Sequence, residues 1–548
     1  MKKTLRIAAI FGLALTYTAT VAWAGSDRLS TELQSSNAGS ESVDVIVQYK
    51  VVPTQAHHAR VAARGGRLTG EMKHIKGAQY TISRSQLESL ANDPDVAYVS
   101  PNRAITSTFD QITDGTVHSD IANTSYGQTG LGIGIAVIDS GVADLPDFHT
   151  GATDRIVYQQ SFVGGTAADQ FGHGTHVAGI LAGNGNGTVY VGVVPQANII
   201  NLRVLDANGQ GTDASVIQAI GTAIALKNQY NIKVINLSLG RPVYESASLD
   251  PLCQAVEAAW NAGIVVVVAA GNQGRNNSAN TNGYGTITAP GNDPYVITVG
   301  SVKANGTTTR SDDLIASYSS KGPTLFDHYA KPDVVAPGNR VVSTLPPGMT
   351  LSNQYPANRV AGNYFTLSGT SMATPVVSGA AAMAFLYAPT VTPDQIKAVI
   401  MATASKNNFP TSSVAVDPTT GISYTSYYDV FTIGAGELDI LAADSIAALP
   451  PALSAKSPAV SYNSTTGKVT MQGVSGQNVV WGANVVWGAN VVWGASAVLA
   501  NNVVWGANVV WGASSMQGFN VVWGANVVWG ASSTTAAEDS GLLINGEN

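Results

Sequence analysis

An α/β fold organised on a parallel β-sheet is what the centre of this 548-residue sequence predicts, and three observations carry it. Short, continuous apolar runs recur from about Gly132 onward; helix-length stretches separate them; and 45% hydrophobic content against 11% charge leaves material for a large core. The length exceeds that of one typical domain, so flanking segments of a different kind are expected.

The chain opens with Met1-Lys-Lys-Thr-Leu-Arg6, continues through an apolar run from Ile7 to Ala19, and reaches Ala22-Trp23-Ala24 before Gly25. A basic start, a short hydrophobic stretch and small residues at a cut site describe a secretory signal over 1–24, cleaved after Ala24 and leaving no membrane span. An uncleaved anchor is the competing reading. Secretion also permits disulfides, yet Cys253 is the single cysteine, expected to be buried in a helix. A net charge of −7, more negative once Lys2, Lys3 and Arg6 leave, gives no reason to expect nucleic-acid binding.

Residues 43–103 read as a small α+β domain within a larger 25–112 segment. Val43 to Tyr49 alternates like a strand, Gln55 to Arg64 favours helix, Gln79 to Ile82 is strand-like, Arg84 to Ala91 is helical, and Val96 to Val99 closes with a strand. Helices interleaved with short strands suggest a ferredoxin-like layer on an antiparallel sheet, marginal in size without a partner surface. The larger α/β region, 113–449, holds the apolar strands Ile135–Ile138, Ile199–Leu202, Val234–Leu237, Ile264–Val268 and Val296–Val299. Helical stretches such as Asp213–Asn228 and Leu252–Asn261 lie between them. In such sheets sites form at the carboxyl ends of the strands.

From Pro450 to about Gln477 a Pro/Ser/Ala/Thr-rich stretch reads as a linker. Asn-Val-Val-Trp-Gly-Ala then repeats over 478–531, with Trp481, Trp487, Trp493, Trp505, Trp511, Trp523 and Trp529 always six or twelve residues apart. An even period keeps every Trp on one face of an extended chain, as in a hexapeptide-repeat β-solenoid; a sticky β-segment that self-associates between chains is the equal alternative. Residues 532–548 form an acidic tail.

Three stretches in the α/β region carry chemistry-bearing residues. Asp139-Ser-Gly141 ends the strand Ile135–Ile138, where a carboxylate serves either as a turn or cap or as a site group. Asp169-Gln-Phe-Gly-His-Gly-Thr-His-Val-Ala-Gly-Ile180 places His173 and His176 at the start of a helix-like run. Imidazole is a base near neutral pH and a metal ligand too, so the pair is open to both readings and to plain burial. In Leu367-Ser-Gly-Thr-Ser-Met-Ala-Thr-Pro375, Ser371 opens a helix with Pro375 expected in its first turn. That serine is either an N-cap or a nucleophile at a helix's positive end. Asn272, ending Val268-Ala-Ala-Gly-Asn272, is either a turn residue or an oxyanion donor.

Taken in the order Asp139, His173, Asn272, Ser371, these stretches resemble the subtilisin-like serine peptidases, the subtilases. The resemblance spans roughly 133–441 and extends to Val234-Ile-Asn-Leu-Ser-Leu-Gly240, Thr288-Ala-Pro-Gly291 and Lys331-Pro-Asp-Val-Val-Ala-Pro-Gly338. A zinc-peptidase helix would space its histidines four apart with a Glu after the first, which this stretch does not. The resemblance implies a secreted serine endopeptidase in which Asp139, His173 and Ser371 are catalytic and Asn272 is the oxyanion donor, with His176 packed in the helix. It also implies that substrate lies between Gly209-Gln-Gly211 and Ser238-Leu239-Gly240, with a side-chain pocket near Ala289, Pro290 and Gly291. The 43–103 domain then corresponds to an inhibitor propeptide acting in cis on a zymogen, self-cleaved within 103–114. Partners are protein and peptide substrates. No cofactor is expected for the chemistry; structural calcium, common among subtilases, is allowed for, but Asp144, Asp147, Asp312 and Asp313 lack a dedicated spacing and no ligands are assigned. From another class, the runner-up is an inactive relative that binds or associates with surfaces through the repeat tail.

Overall fold

The computed structural model describes residues 28–29, 33, 41–72, 76–101, 111–278, 281–405, 409–417, 420–441, 454–463, 468–471 and 547. The signal segment, the stretch 102–110 and the repeats lie outside the described residues. The chain divides into two units, 1–107 and 108–548.

In the first unit, β1 (Ser42–Tyr49), α1 (Gln55–Ala63), β2 (Arg67–Met72), β3 (Gly77–Ser83), α2 (Leu87–Ala91) and β4 (Val96–Pro101) follow one another. The strands form an antiparallel sheet in the order β2-β3-β1-β4. Val45, Val47 and Tyr49, alternate residues of β1, share one buried cluster with Val61 of α1 and with Leu87 and Leu90 of α2. This is the antiparallel sheet with two helices that the apolar spacing predicts. β2 was not legible: Arg-Leu-Thr-Gly-Glu-Met lacks an apolar face because it is an edge strand with one neighbour.

In the second unit, α3 (Gln111–Val117) and α4 (Ser119–Tyr126) precede the main sheet of β5 (Gly134–Asp139), β6 (Ile156–Ser161), β7 (Asn198–Arg203), β8 (Ile232–Leu237), β9 (Val265–Ala269), β10 (Ile297–Lys303), β11 (Leu314–Ile315) and β12 (Val334–Pro337). The order is β11-β10-β9-β8-β5-β7-β6, with β12 also bordering β10; every pairing is parallel except the short β10–β11 edge. All residues of β5 and β9 are buried, which is why these strands read as unbroken apolar runs. Helices α5 (His173–Ala182), α6 (Asp213–Leu226), α7 (Pro251–Asn261), α8 (Thr370–Tyr387) and α9 (Pro393–Thr403) surround the sheet. α8 packs on α5 and on β8, β9, β10 and β12, and its Gly379 sits where a Cβ would come within 2.4 Å of Val193. The antiparallel pair β13 (Val341–Thr344) and β14 (Tyr364–Leu367) and the hairpin β15 (Ser412–Val416) with β16 (Ser423–Tyr427) complete the unit.

Within the stretch expected to be a linker, residues 454–463 and 468–471 belong to this unit instead. β17 (Val460–Asn463) and β18 (Lys468–Met471) pair, and before them the Ala455 N–H donates to Asp394 at 2.6 Å and the Ser457 N–H to the Pro294 carbonyl at 2.9 Å. The anchor is a buried ion cluster. Asp333 lies 2.6 Å from Lys331 Nζ and 3.1 Å from Lys397 Nζ, with all three side chains fully enclosed, and it accepts from the Ser457 hydroxyl at 2.7 Å. Burial alone would raise the Asp333 pKa, but the two ammonium groups pull it below its ordinary value. Serine's small hydroxyl fits this role, and the same composition had suggested a linker.

Because breaking such a pair strands buried charge, Asp333→Asn is expected to destabilise the second unit by about 3–5 kcal/mol, read from chemical unfolding against the parent chain.

Candidate active site

Asp139 is the last residue of β5 and its side chain is fully buried. Its Oδ1 accepts from the Ser140 N–H at 2.7 Å and lies 2.8 Å from His173 Nδ1. Against a carboxylate only the protonated Nδ1 makes a hydrogen bond, so the neutral ring presents Nε2 as its basic nitrogen. The contact requires the start of α5 to come very near the strand end. Gly174 permits this: a Cβ there would stand 2.2 Å from the Gly141 carbonyl oxygen and 3.1 Å from Asp139 Cβ.

The approach is fixed by Asp169, to which sequence reasoning gave no role. Its Oδ1 accepts from Ser140 Oγ at 2.9 Å, Phe171 N–H at 3.0 Å and Gly172 N–H at 2.8 Å; its Oδ2 accepts from the Thr175 N–H at 2.9 Å and the Thr175 hydroxyl at 2.6 Å. Ser140 Oγ in turn accepts from the Gly174 N–H at 2.8 Å. The free N–H groups at the head of α5 are thus met by one carboxylate and one hydroxyl, in place of a side-chain cap from Gly172. Burial pushes the Asp169 pKa up, and these donors work against that push. An Asp four residues before a helix-leading His was the available signal.

His176 faces the other way. Fully buried, it places Nε2 2.9 Å from the Phe365 carbonyl of β14, and the Ser343 hydroxyl of β13 donates to its backbone carbonyl at 2.8 Å. Burial drives its pKa down to about 3. It is a neutral packing residue that docks α5 on β13 and β14.

Ser371 is the second residue of α8, preceded by Gly369 at φ 149°. Its Oγ donates to the Ser238 carbonyl at 3.1 Å, and the Ser238 hydroxyl donates back to the Ser371 carbonyl at 2.8 Å. Pro375 lies in the second turn of α8 rather than the first, and this has a use. Lacking an N–H, Pro375 cannot take the carbonyl four residues earlier, so the Ser371 carbonyl is left for Ser238. Asn272 Oδ1 accepts from the Thr370 N–H at 2.9 Å and the Thr370 hydroxyl at 3.1 Å, which assigns the other amide atom, Nδ2, as the donor.

His173, Asn272 and Ser371 line one cavity of about 600 Å³ at the carboxyl edge of the sheet, together with Gly209, Gly211, Ser238, Leu239 and Gly240. The expected pocket residues Ala289, Pro290 and Gly291 do not line it. Ala289 exchanges backbone hydrogen bonds with Arg241 at 2.8 and 2.9 Å, which keeps this turn buried behind Thr288, and Thr288 is the residue that faces the cavity. At Gly240 a Cβ would lie 2.6 Å from Thr288 Oγ1, so the two share one wall. Arg241 fastens that wall. Its guanidinium binds Asp213 at 2.9 Å, in the first turn of α6, and Asp250 at 2.8 Å, the N-cap of α7. Cys253 is buried in α7, its Sγ 3.3 Å from Asn292 Oδ1, and burial pushes the thiol pKa up, away from nucleophilic use.

The carboxylates considered for calcium sit in different surroundings. Asp147 accepts from the Tyr364 hydroxyl at 2.6 Å, Asp312 from the Thr307 hydroxyl at 2.9 Å, Asp313 is fully buried, and Asp144 lies 2.6 Å from His149 Nε2. Asp144, His149 and Asp154 do converge, yet one imidazole and two exposed carboxylates are not the six to eight oxygens of a calcium site.

The mostly parallel sheet, its helices and the cleft at the carboxyl ends of its strands are those of the subtilisin-like fold. The chain belongs to the subtilase family, whose model matches residues 130–419. Serine protease AprX of Bacillus subtilis (strain 168) is 35% identical over 348 residues, 61% of this chain and 75% of that protein. Subtilisin E of the same organism is 32% identical over 415 residues, 74% of this chain and 94% of its own. An extracellular serine proteinase of Thermus sp. (strain Rt41A) is 34% identical over 342 residues, 61% of this chain and 72% of that protein.

His176 generates a pH dependence. Its folded pKa, about 3, lies below the ordinary 6.5, so between these values the unfolded chain binds the extra proton and stability falls as pH falls. His176→Gln, which keeps a donor for the Phe365 carbonyl, is expected to flatten the acid limb by up to about 1.4 kcal/mol per pH unit, measured by urea unfolding at several pH values from 7 to 4.

Proposed function

We propose that this chain is a secreted serine endopeptidase, hydrolysing peptide bonds in proteins through an acyl-enzyme and made as a zymogen. The observation that carries this reading is the 2.8 Å contact between the buried Asp139 and His173, on the cleft that Ser371 and Asn272 share. Serine's hydroxyl is a poor nucleophile near neutral pH. His173 Nε2 takes its proton as Oγ attacks the scissile carbonyl and returns it to the departing amine, while Asp139 holds the tautomer and steadies the imidazolium. The carbonyl oxygen, now negative, is held by Asn272 Nδ2 and the Ser371 N–H at the head of α8. Water, activated by the same imidazole, releases the acyl group.

Substrate lies extended between Gly209–Gly211 and Ser238–Gly240, pairing through main-chain hydrogen bonds. Such pairing ignores side chains and favours a broad specificity, narrowed where Thr288 crowds the wall at Gly240. No helix among the described residues is long and apolar enough to cross a membrane. The extracellular relative and the leader-like 1–24 support release from the cell.

The first unit is the inhibitor propeptide in this reading, and the processing site can be narrowed. α3 is folded into the second unit: Asp114 accepts from Ser119 Oγ at 2.6 Å, and the Ile440 N–H donates to the Val117 carbonyl at 3.1 Å. A bond inside 111–117 is therefore a poor substrate, and self-cleavage falls in 102–110.

A fluorophosphonate probe is expected to label the processed protein and to fail on Ser371→Ala; labelling that survives the substitution would reject the reading, and an unlabelled parent would favour the inactive binding protein. Asn272→Ala is expected to lower kcat by about two to three orders of magnitude with little change in KM, a size carried over from subtilisins. Ser371→Ala expressed without other peptidases should remain joined to its propeptide, whereas Edman sequencing of the parent should find a new N-terminus between 103 and 111.

A further inference from the structure

Glu547, beyond the repeats, is buried in a polar pocket of the second unit, its side chain 4% exposed. Its Oε1 accepts from the Ser317 N–H at 2.9 Å, from Arg275 Nη2 at 3.0 Å and from the Ser317 hydroxyl. Asn339 reads the backbone of the same residue: its Nδ2 donates to the Glu547 carbonyl at 3.0 Å and its Oδ1 accepts the Glu547 N–H at 2.8 Å.

We propose that Arg275, Ser317 and Asn339 form a binding site for a glutamate of an acidic peptide, and that Glu547 of this chain is its ligand. The two halves of the contact divide the labour. A side-chain amide paired with both backbone groups of one residue holds any peptide, as a neighbouring strand would. Selection comes from three donors converging on one carboxylate oxygen. The cationic wall is already set: Arg275 Nε donates to Ser317 Oγ at 2.6 Å, Nη1 reaches Asp417 at 3.3 Å, and the guanidinium lies over the Tyr424 ring at 4.7 Å. Asp417 pairs with Arg275 in any case, but the N–H of Ser317, a residue 2% exposed, needs the acceptor that Glu547 supplies.

The site also joins two loops of interest. Arg275 follows Asn272 by three residues. Asn339 follows Gly338, whose carbonyl accepts the Gly369 N–H at 2.8 Å, two residues ahead of Ser371. Glu547 thus ties both loops to one residue. None of this depends on the proposed chemistry.

The test uses the full chain carrying Ser371→Ala, so that the probe is not digested, with and without Glu547→Arg. A fluorescent peptide of residues 541–548 is expected to bind the Glu547→Arg chain at least tenfold more tightly than the chain whose pocket is filled. Replacing the peptide's Glu by Gln should weaken binding at least tenfold. Equal binding to both chains, or indifference to that replacement, overturns the proposal. Should Glu547→Arg not fold, hydrogen exchange at the Ser317 amide decides: at least tenfold faster in Glu547→Ala than in the parent is expected, and the same rate in both overturns it.

Discussion

Everything at the cleft depends on bringing one carboxylate, buried at the end of a central strand, against an imidazole at the head of a helix. Asp139 has no solvent to share its charge with, so the orientation of His173 is imposed by the protein interior rather than by chance encounter. Two features secure the meeting. Gly174 removes the side chain that would hold α5 away, and Asp169 with Ser140 gathers the N–H groups at the helix head. The placement of His173 therefore rests on a carboxylate thirty residues from Asp139, at the head of the same helix.

The serine side is built by a different economy of hydrogen bonds. A proline in the second turn of α8 frees the Ser371 carbonyl, and Ser238 takes it while offering its own carbonyl to the Ser371 hydroxyl. Ser238 and Ser371 are thereby locked to each other. Thr370 does the same for Asn272. Local geometry that looks like helix imperfection is what aligns three chain segments around a single point.

Much of this was legible in the sequence because it is written in short-range terms. The buried strands announce themselves as apolar runs, and the residues Asp139, His173, Asn272 and Ser371 sit in recognisable strings at strand ends and helix heads. What escaped has a common cause: its partners are distant in the chain. β2 has a polar edge and no face to betray it. Lys331, Asp333 and Lys397 look like surface charges until the fold encloses them, and the Ala455–Val460 stretch has a linker's composition because its task is to supply a hydroxyl and backbone groups. The turn at 289–291 is held by its backbone exchange with Arg241, a pairing that neither stretch shows by itself.

The enclosed Lys331–Asp333–Lys397 cluster carries a consequence for the conditions under which the second unit holds together. Mobile counter-ions weaken attractions between charges that water surrounds, over a Debye length of about 8 Å at physiological ionic strength, but they do not enter a packed interior. The tie between the sheet, α9 and the segment leading to β17 is therefore indifferent to salt, while the partly exposed Arg241–Asp213 pair is not. In brine or in fresh water this joint stays equally tight.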